Sequence, residues 1–205
     1  VRRIFCVGRN YAAHAAEMGN EVDREAPFYF TKSAHALCLS GQTIPYPVGT
    51  NDCHYEMEFV VAIGADAKNV GTSNALDAVF GYACGIDLTR RDLQGAAKDK
   101  RRPWDLGKDF ENAALIAAIT TVREFGAVSR QRIGLVHDGA QVQSAALSDM
   151  VWSVPEIISH LSQFYHLGPG DLIYTGTPAG VGPVQPGSRL EGWIEGLAPI
   201  TVEIA

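Results

Sequence analysis

The chain has 205 residues, enough to bury a sizeable core in one domain without disulfides or a structural metal. An apolar fraction of 46% and a charged fraction of 20% describe a globular protein and argue against disorder. Seventeen Lys and Arg face 23 Asp and Glu, and the resulting charge of −6 disfavours nucleic acid and anionic membranes as partners; a small anion can be held only where local cations or a metal reverse the field.

No internal repeat or low-complexity tract is present. Residues 2–7 read as a short strand, and Asn10 is placed to cap a helix running through Met18, with Gly19 as its stop. Residues 19–27 are polar and expected to be loose, residues 28–32 are extended, and residues 45–52 are turn-rich. A strand is predicted over 55–63, a helical piece at 76–79, a second apolar run over 80–88 and a helix over 89–98. Residues 132–137 and 141–146 flank Asp138-Gly139, a hairpin signal. Ser153-x-x-Glu156 is a capping box with Pro155 in the first turn, and Val154, Ile157, Ile158, Leu161, Phe164 and Tyr165 recur at helical spacing up to Gly168. Residues 171–175, 192–195 and 199–204 close the chain as strands. Strands dominate and 21 glycines and 10 prolines interrupt them, so the pattern predicts a β-rich α+β fold whose sheets coil or close.

Cys6, Cys38, Cys53 and Cys84 form no C-x-x-C pair and lie in or near apolar runs, as reduced core thiols do; a cytoplasmic address is the expectation. No apolar run approaches the ~18–20 residues of a spanning helix. No signal peptide is visible, and Val1 in place of Met suggests a start upstream.

Glu56 and Glu58 stand immediately before Phe59-Val60-Val61-Ala62-Ile63. On a strand, residues two apart face the same side, so the two carboxylates point together beside a segment apolar on both faces. Their repulsion requires that one carry a proton or that a cation neutralise both; the plain alternative is a solvated strand end. The run "GYACGIDL" ends in a third acid, Asp87, and three carboxylates at the ends of buried strands can meet at one mouth of a sheet. Oxygen-only ligands select a hard cation, Mg²⁺ or Mn²⁺, and three of them leave about three octahedral positions for water or substrate.

His14 and Glu17 are three apart and share a helix face, as a water-activating base and its partner or as an exposed pair worth about 0.2–0.5 kcal/mol. The Gly-flanked segment after them lets that helix act as a lid. Arg91 and Gln94 share a face if Thr89 opens a helix. Lys108 in "GKDF" suits a substrate carboxylate or a developing enolate, or else a surface ion pair. "YTGTPAGVGP" ends a strand in a Gly-Pro loop that can approach a small anion or simply turn a sheet corner.

The stretches "VGRNYAAHAAEMG", "HYEMEFVVAIG", "GYACGIDLTRRDLQ", "RPWDLGKDF" and "GDLIYTGTPAGVGP" resemble, in order, the fumarylacetoacetate hydrolase family in its small acylpyruvase branch. Within it, "APFYFTK" and "LTRRDLQ" are most similar to fumarylpyruvate hydrolases of aromatic-acid breakdown. The resemblance implies a mixed, coiled β-roll and a homodimer: a single catalytic domain over 1–205, with a mobile lid helix in 1–45 and the roll in 46–205. It implies that Glu56, Glu58 and Asp87 hold Mg²⁺ or Mn²⁺, that His14 and Glu17 activate water with Lys108 assisting, and that Arg91, Gln94 and Thr177 contact a small anionic diketo acid. The implied reaction is hydrolysis of the C3–C4 bond of an acylpyruvate. Decarboxylation of oxaloacetate, isomerisation of a keto acid, or metal-dependent binding of a keto acid without chemistry are the rival readings. Ser33 stands where relatives often have proline, and the proline expected after Ala114 is absent.

Overall fold

The two most apolar runs of the chain become neighbours at the centre of the molecule. In the computed structural model, which describes residues 1–19, 21–22 and 24–205, Met57–Ile63 is buried along its whole length and pairs antiparallel with Val79–Asp87. Around this pair an eight-stranded mixed sheet runs in the order Phe28–Lys32, Arg3–Gly8, Asp171–Tyr174, Met57–Ile63, Val79–Asp87, Ala114–Ile116, Leu37–Leu39, with Thr120–Thr121 also on Val79–Asp87. A five-stranded sheet, Ala140–Ala146, Arg132–His137, Arg189–Ile194, Ile200–Ile204 and Gln42–Ile44, packs against the central pair and covers it from water. Gly192 permits that approach: a Cβ there would lie 2.4 Å from Met57 Sδ. The two sheets share one hydrophobic core, and the β-rich α+β roll is the expected fold.

The strand predicted over 55–63 is two strands. Cys53–Tyr55 belongs to a three-stranded sheet with Gly182–Pro183 and Thr89–Arg90, and the chain changes sheet at Glu56. Its partner changes sheet at the same level. Cys53 pairs with Arg90 and His54 with Thr89 before the corner, and Met57 pairs with Ile86 after it. Glu56 and Asp87 face one another across this corner, where the Asp87 N–H donates to the Glu56 carbonyl at 2.9 Å. The helix predicted over 89–98 therefore starts late, at Arg91–Asp99, because Thr89 and Arg90 are committed to the ladder.

Other elements follow local chemistry. Asp138 and Gly139 hold φ values of 50° and 82° at the hairpin tip, the left-handed pair that a tight turn between twisted strands requires. The Glu156 carboxylate accepts from the Ser153 N–H at 2.8 Å and from its hydroxyl at 2.7 Å, opening the helix Val154–Phe164. That helix ends at Phe164, four residues before the expected stop at Gly168, with Tyr165 already extended. The piece predicted at 76–79 is a 3₁₀ turn over Ala75–Ala78. All four cysteines are reduced and buried, and no helix among the described residues is long and apolar enough to cross a membrane.

Asn10 departs from its expected part. The helix spans Ala12–Glu17 and Tyr11 is its first flanking residue. The Asn10 side chain is fully buried and acts as a clamp between distant segments: Nδ2 donates to the carbonyls of Trp152 at 3.0 Å and Thr175 at 2.8 Å, and Oδ1 accepts from the Trp152 N–H at 2.6 Å. Aspartate caps a helix as well as asparagine but cannot donate to two carbonyls. Asn10→Asp is therefore expected to lower the unfolding free energy in urea by about 3 kcal/mol. A change of a few tenths of a kcal/mol would return Asn10 to a capping role.

Candidate active site

The sheet corner sets three carboxylates against one another. Glu56, Glu58 and Asp87 are all buried, and one oxygen from each lies within 4.8 Å of the other two. Glu58 follows the corner on one strand, opposite Gly85, while Asp87 ends the other. Such burial of three like charges needs compensation, and three cations supply it. Lys108 Nζ lies 2.8 Å from both Glu56 Oε2 and Asp87 Oδ2 and donates to Thr89 Oγ1 at 2.6 Å. Arg91 reaches Glu56 Oε1 with Nη2 at 2.5 Å and donates from Nη1 to Gln94 Oε1 at 2.8 Å. Lys32 Nζ sits 2.7 Å from Asp87 Oδ1 and donates to the carbonyls of Leu88, at 3.1 Å, and Lys108.

The three acids are not equivalent. Burial opposes the charge of Glu56, but Lys108 and Arg91 outweigh it and hold that carboxyl well below the usual range. Burial, then Asp87 and Glu56, push the Glu58 carboxyl well above it. Glu58 has no cation partner among the described residues; its Oε2 accepts the Gly176 N–H at 2.8 Å. Burial also opposes the charge of Lys108, yet Asp87 and Glu56 raise its pKa, so this ammonium stays charged. Asp87 Oδ1, despite the nearby Lys32, receives no aligned hydrogen bond. The donors are all oxygen, one carboxylate lacks a countercharge and one buried acceptor lacks a directed donor; this set fits a hard divalent cation and offers zinc none of its preferred nitrogen or sulfur.

His14 stands across the same pocket. It is buried on the helix Ala12–Glu17, with Nδ1 3.1 Å from Glu17 Oε2; Glu17 Oε1 accepts from the Gly180 N–H at 3.0 Å. Gly180 comes from the Gly-Pro loop. That loop starts with Thr175, whose N–H and hydroxyl both donate to the Phe59 carbonyl, at 3.0 and 2.8 Å. Gly176 passes under the turn after the first strand with φ 96°, where a Cβ would stand 2.8 Å from Asn10 Cβ and 3.0 Å from the Val7 carbonyl. Only glycine lets the loop pass there and present its N–H to Glu58.

Of the residues singled out in the sequence, His14, Glu56, Glu58, Arg91, Gln94, Lys108 and Thr177 open on one pocket. Asp87 lies beneath them with no exposed surface, and Glu17 stands behind His14. Two buried residues were missed. Lys32 ends a short strand and looks, in sequence, like any surface lysine. Gln143 lies on a hairpin strand of the second sheet; its Oε1 accepts from the Met57 N–H at 2.9 Å and its Nε2 donates to Thr177 Oγ1 and the Pro178 carbonyl, both at 2.8 Å. It joins the metal-facing strand to the Gly-Pro loop, a connection that no local pattern announces.

The chain and its fold are similar to proteins already known. The chain is 47% identical over 190 residues to a fumarylpyruvate hydrolase of a Ralstonia species, covering 91% of this chain and 98% of that one. It is 37% identical over 203 residues to a mitochondrial oxaloacetate tautomerase of Homo sapiens, covering 99% and 91%. The fold superposes with a TM-score of 0.97 on the crystal structure of fumarylpyruvate hydrolase from Pseudomonas aeruginosa in complex with Mn²⁺ and pyruvate, at 44% identity and covering 100% of this chain and 90% of that one. Residues 3–205 match the fumarylacetoacetate (FAA) hydrolase C-terminal family, and the chain belongs to it.

Proposed function

We propose that this chain hydrolyses the C3–C4 bond of a 2,4-diketo acid, fumarylpyruvate foremost, to pyruvate and a carboxylic acid. The observation that carries the proposal is the convergence of Glu56, Glu58 and Asp87 in one pocket with a His14 whose Nδ1 is held by Glu17. A fumarylpyruvate hydrolase at 47% identity supports the choice of substrate.

Glu56, Glu58 and Asp87 would hold Mg²⁺ or Mn²⁺, and a related structure at 44% identity is a complex with Mn²⁺. When bound, the ion supplies Lewis acidity and a template for the keto-acid end of the substrate. The remaining work belongs to side chains. With Nδ1 engaged by Glu17, His14 presents Nε2 to the pocket, where it takes a proton from a water beside C4. Hydroxide adds to C4, the C3–C4 bond breaks with its electron pair going to C3, and a proton returned to C3 completes pyruvate. Lys108, held charged by Asp87 and Glu56, faces the negative charge that grows on the pyruvate oxygens. Arg91, Gln94 and Thr177 line the same pocket and orient the substrate.

Charge supports a dianionic substrate. Lys32, Lys108 and Arg91 equal the three buried carboxylates in number, although they pair only with Glu56 and Asp87, so a divalent ion taken up beside Glu58 leaves the site net positive.

The helix Ala12–Glu17 serves as the lid, tied down through the Glu17–Gly180 contact and hinged at Gly19, which holds φ 70°. The chain is one catalytic domain that works as a homodimer in the cytoplasm on products of aromatic-acid breakdown. A second reading, proton transfer on oxaloacetate at the same centre, is favoured by the tautomerase among its relatives and by the same histidine.

Pyruvate release is expected from fumarylpyruvate and acetylpyruvate with Mg²⁺ and is expected to vanish on chelation. No pyruvate from either acylpyruvate, together with catalysed keto–enol exchange of oxaloacetate, would move the assignment to the second reading. Asp87→Asn is expected to lose more than about tenfold in turnover at limiting metal while keeping the native circular dichroism spectrum. His14→Ala is expected to cost roughly 10²–10⁴-fold in kcat with metal affinity kept, and a loss of only a few-fold would count against the dyad.

A further inference from the structure

The outer part of the pocket carries positive charge that the catalytic centre does not use. Lys98 lies on the helix Arg91–Asp99, four residues past Gln94 and seven past Arg91, so all three face the pocket they line. Arg9 lines it from the turn after the first strand, where it holds φ 57°, a backbone conformation that L-residues seldom adopt without a local reason. The two cations bracket an aromatic pair. The Arg9 guanidinium lies 5.8 Å from the Phe28 ring centre, Phe28 and Trp104 are tilted at 4.9 Å, and Lys98 Nζ lies 4.8 Å from the Trp104 ring centre.

Arg91 and Lys108 are both tied to Glu56, whereas Arg9 and Lys98 have no ion pair among the described residues. Lys98 is half-buried, and burial, then Arg91, Arg9 and Lys108, pull its pKa below the ordinary lysine value. Four cations thus share one cleft of a protein whose formal charge is −6. Such a surplus beside aromatic side chains calls for an anionic group at the far end of an unsaturated substrate chain.

We propose that Arg9 and Lys98 bind the distal carboxylate of a dicarboxylic diketo acid and so select it over acylpyruvates with an uncharged tail; the proposal rests on the hydrolase reading and names the substrate class that its site prefers. Trp104 and Phe28 carry the two cations, and the substrate carboxylate supplies the countercharge they lack.

The test compares two pairs of ligands on the Mg²⁺-loaded protein. Turnover is measured with fumarylpyruvate and with acetylpyruvate, which lacks the distal acid. Binding is measured by calorimetry with fumarate and with crotonate, its monoanionic isostere. Arg9→Gln and Lys98→Gln are each expected to lower the ratio of kcat/KM for fumarylpyruvate over acetylpyruvate by about tenfold, mainly through KM, and to erase a preference for fumarate over crotonate. Lys98→Arg is expected to restore most of both. A ratio that stays within about twofold of wild type in both Gln variants, or a wild type that binds fumarate and crotonate alike, would overturn the subsite. A wild type that prefers fumarate but does not cleave fumarylpyruvate would leave the subsite standing and remove the hydrolase reading.

Discussion

The molecule is organised around the cost of keeping three carboxylates out of water within a few ångströms of one another. Each buried charge is tolerable only with a partner, and here the partners come from three separate parts of the chain: Lys32 from an edge of the large sheet, Arg91 from the first turn of a helix and Lys108 from the short helix Asp105–Lys108. Glu58 has none among the described residues, and a buried carboxylate without a paired cation is what gives the site its appetite for a divalent ion. An equal number of charges placed on a solvated surface would carry no such demand.

The fold meets this cost by placing the acids where the backbone is most constrained. Two antiparallel strands cross together from one sheet into another, with Glu56 and Asp87 at the corner and Glu58 just past it. A covered central pair cannot slip register without exposing apolar residues, so the carboxylates inherit their rigidity from the core. The Gly-Pro loop links the two halves of the chemistry: Gly176 donates to Glu58 on the metal-facing side, and Gly180 donates to Glu17 behind the histidine. The motif that read in sequence as a corner or an anion loop is both a corner and the bridge between acid cluster and base.

Much of the site was legible because its signals are local. Glu56 and Glu58 sit at the lip of an apolar run, Asp87 ends another, and His14 and Glu17 keep helical spacing; the structure brings all five together. The break at Glu56 was not legible, since a run that changes sheet reads as one continuous strand. Nor were Lys32 and Gln143, whose importance lies wholly in contacts with residues far along the chain, Asp87 and Thr177. Asn10 misled for the same reason. Its position before a helix matches a cap, but its hydrogen bonds go to residues 152 and 175, and tertiary contacts override the local preference. Leu37–Leu39, Gln42–Ile44 and Ala114–Ile116 are too short to show a period and exist because longer strands offer them an edge.

The account depends on Glu56, Glu58 and Asp87 acting as one ligand set, and equilibrium titration with Mn²⁺ followed by electron paramagnetic resonance tests this most directly. One tightly held Mn²⁺ per chain is the expected result, with affinity sharply reduced in Glu58→Gln although that variant removes no cation partner and should fold normally. Wild-type protein that holds no Mn²⁺, or a Glu58→Gln variant that holds it as tightly as wild type, would contradict the claim.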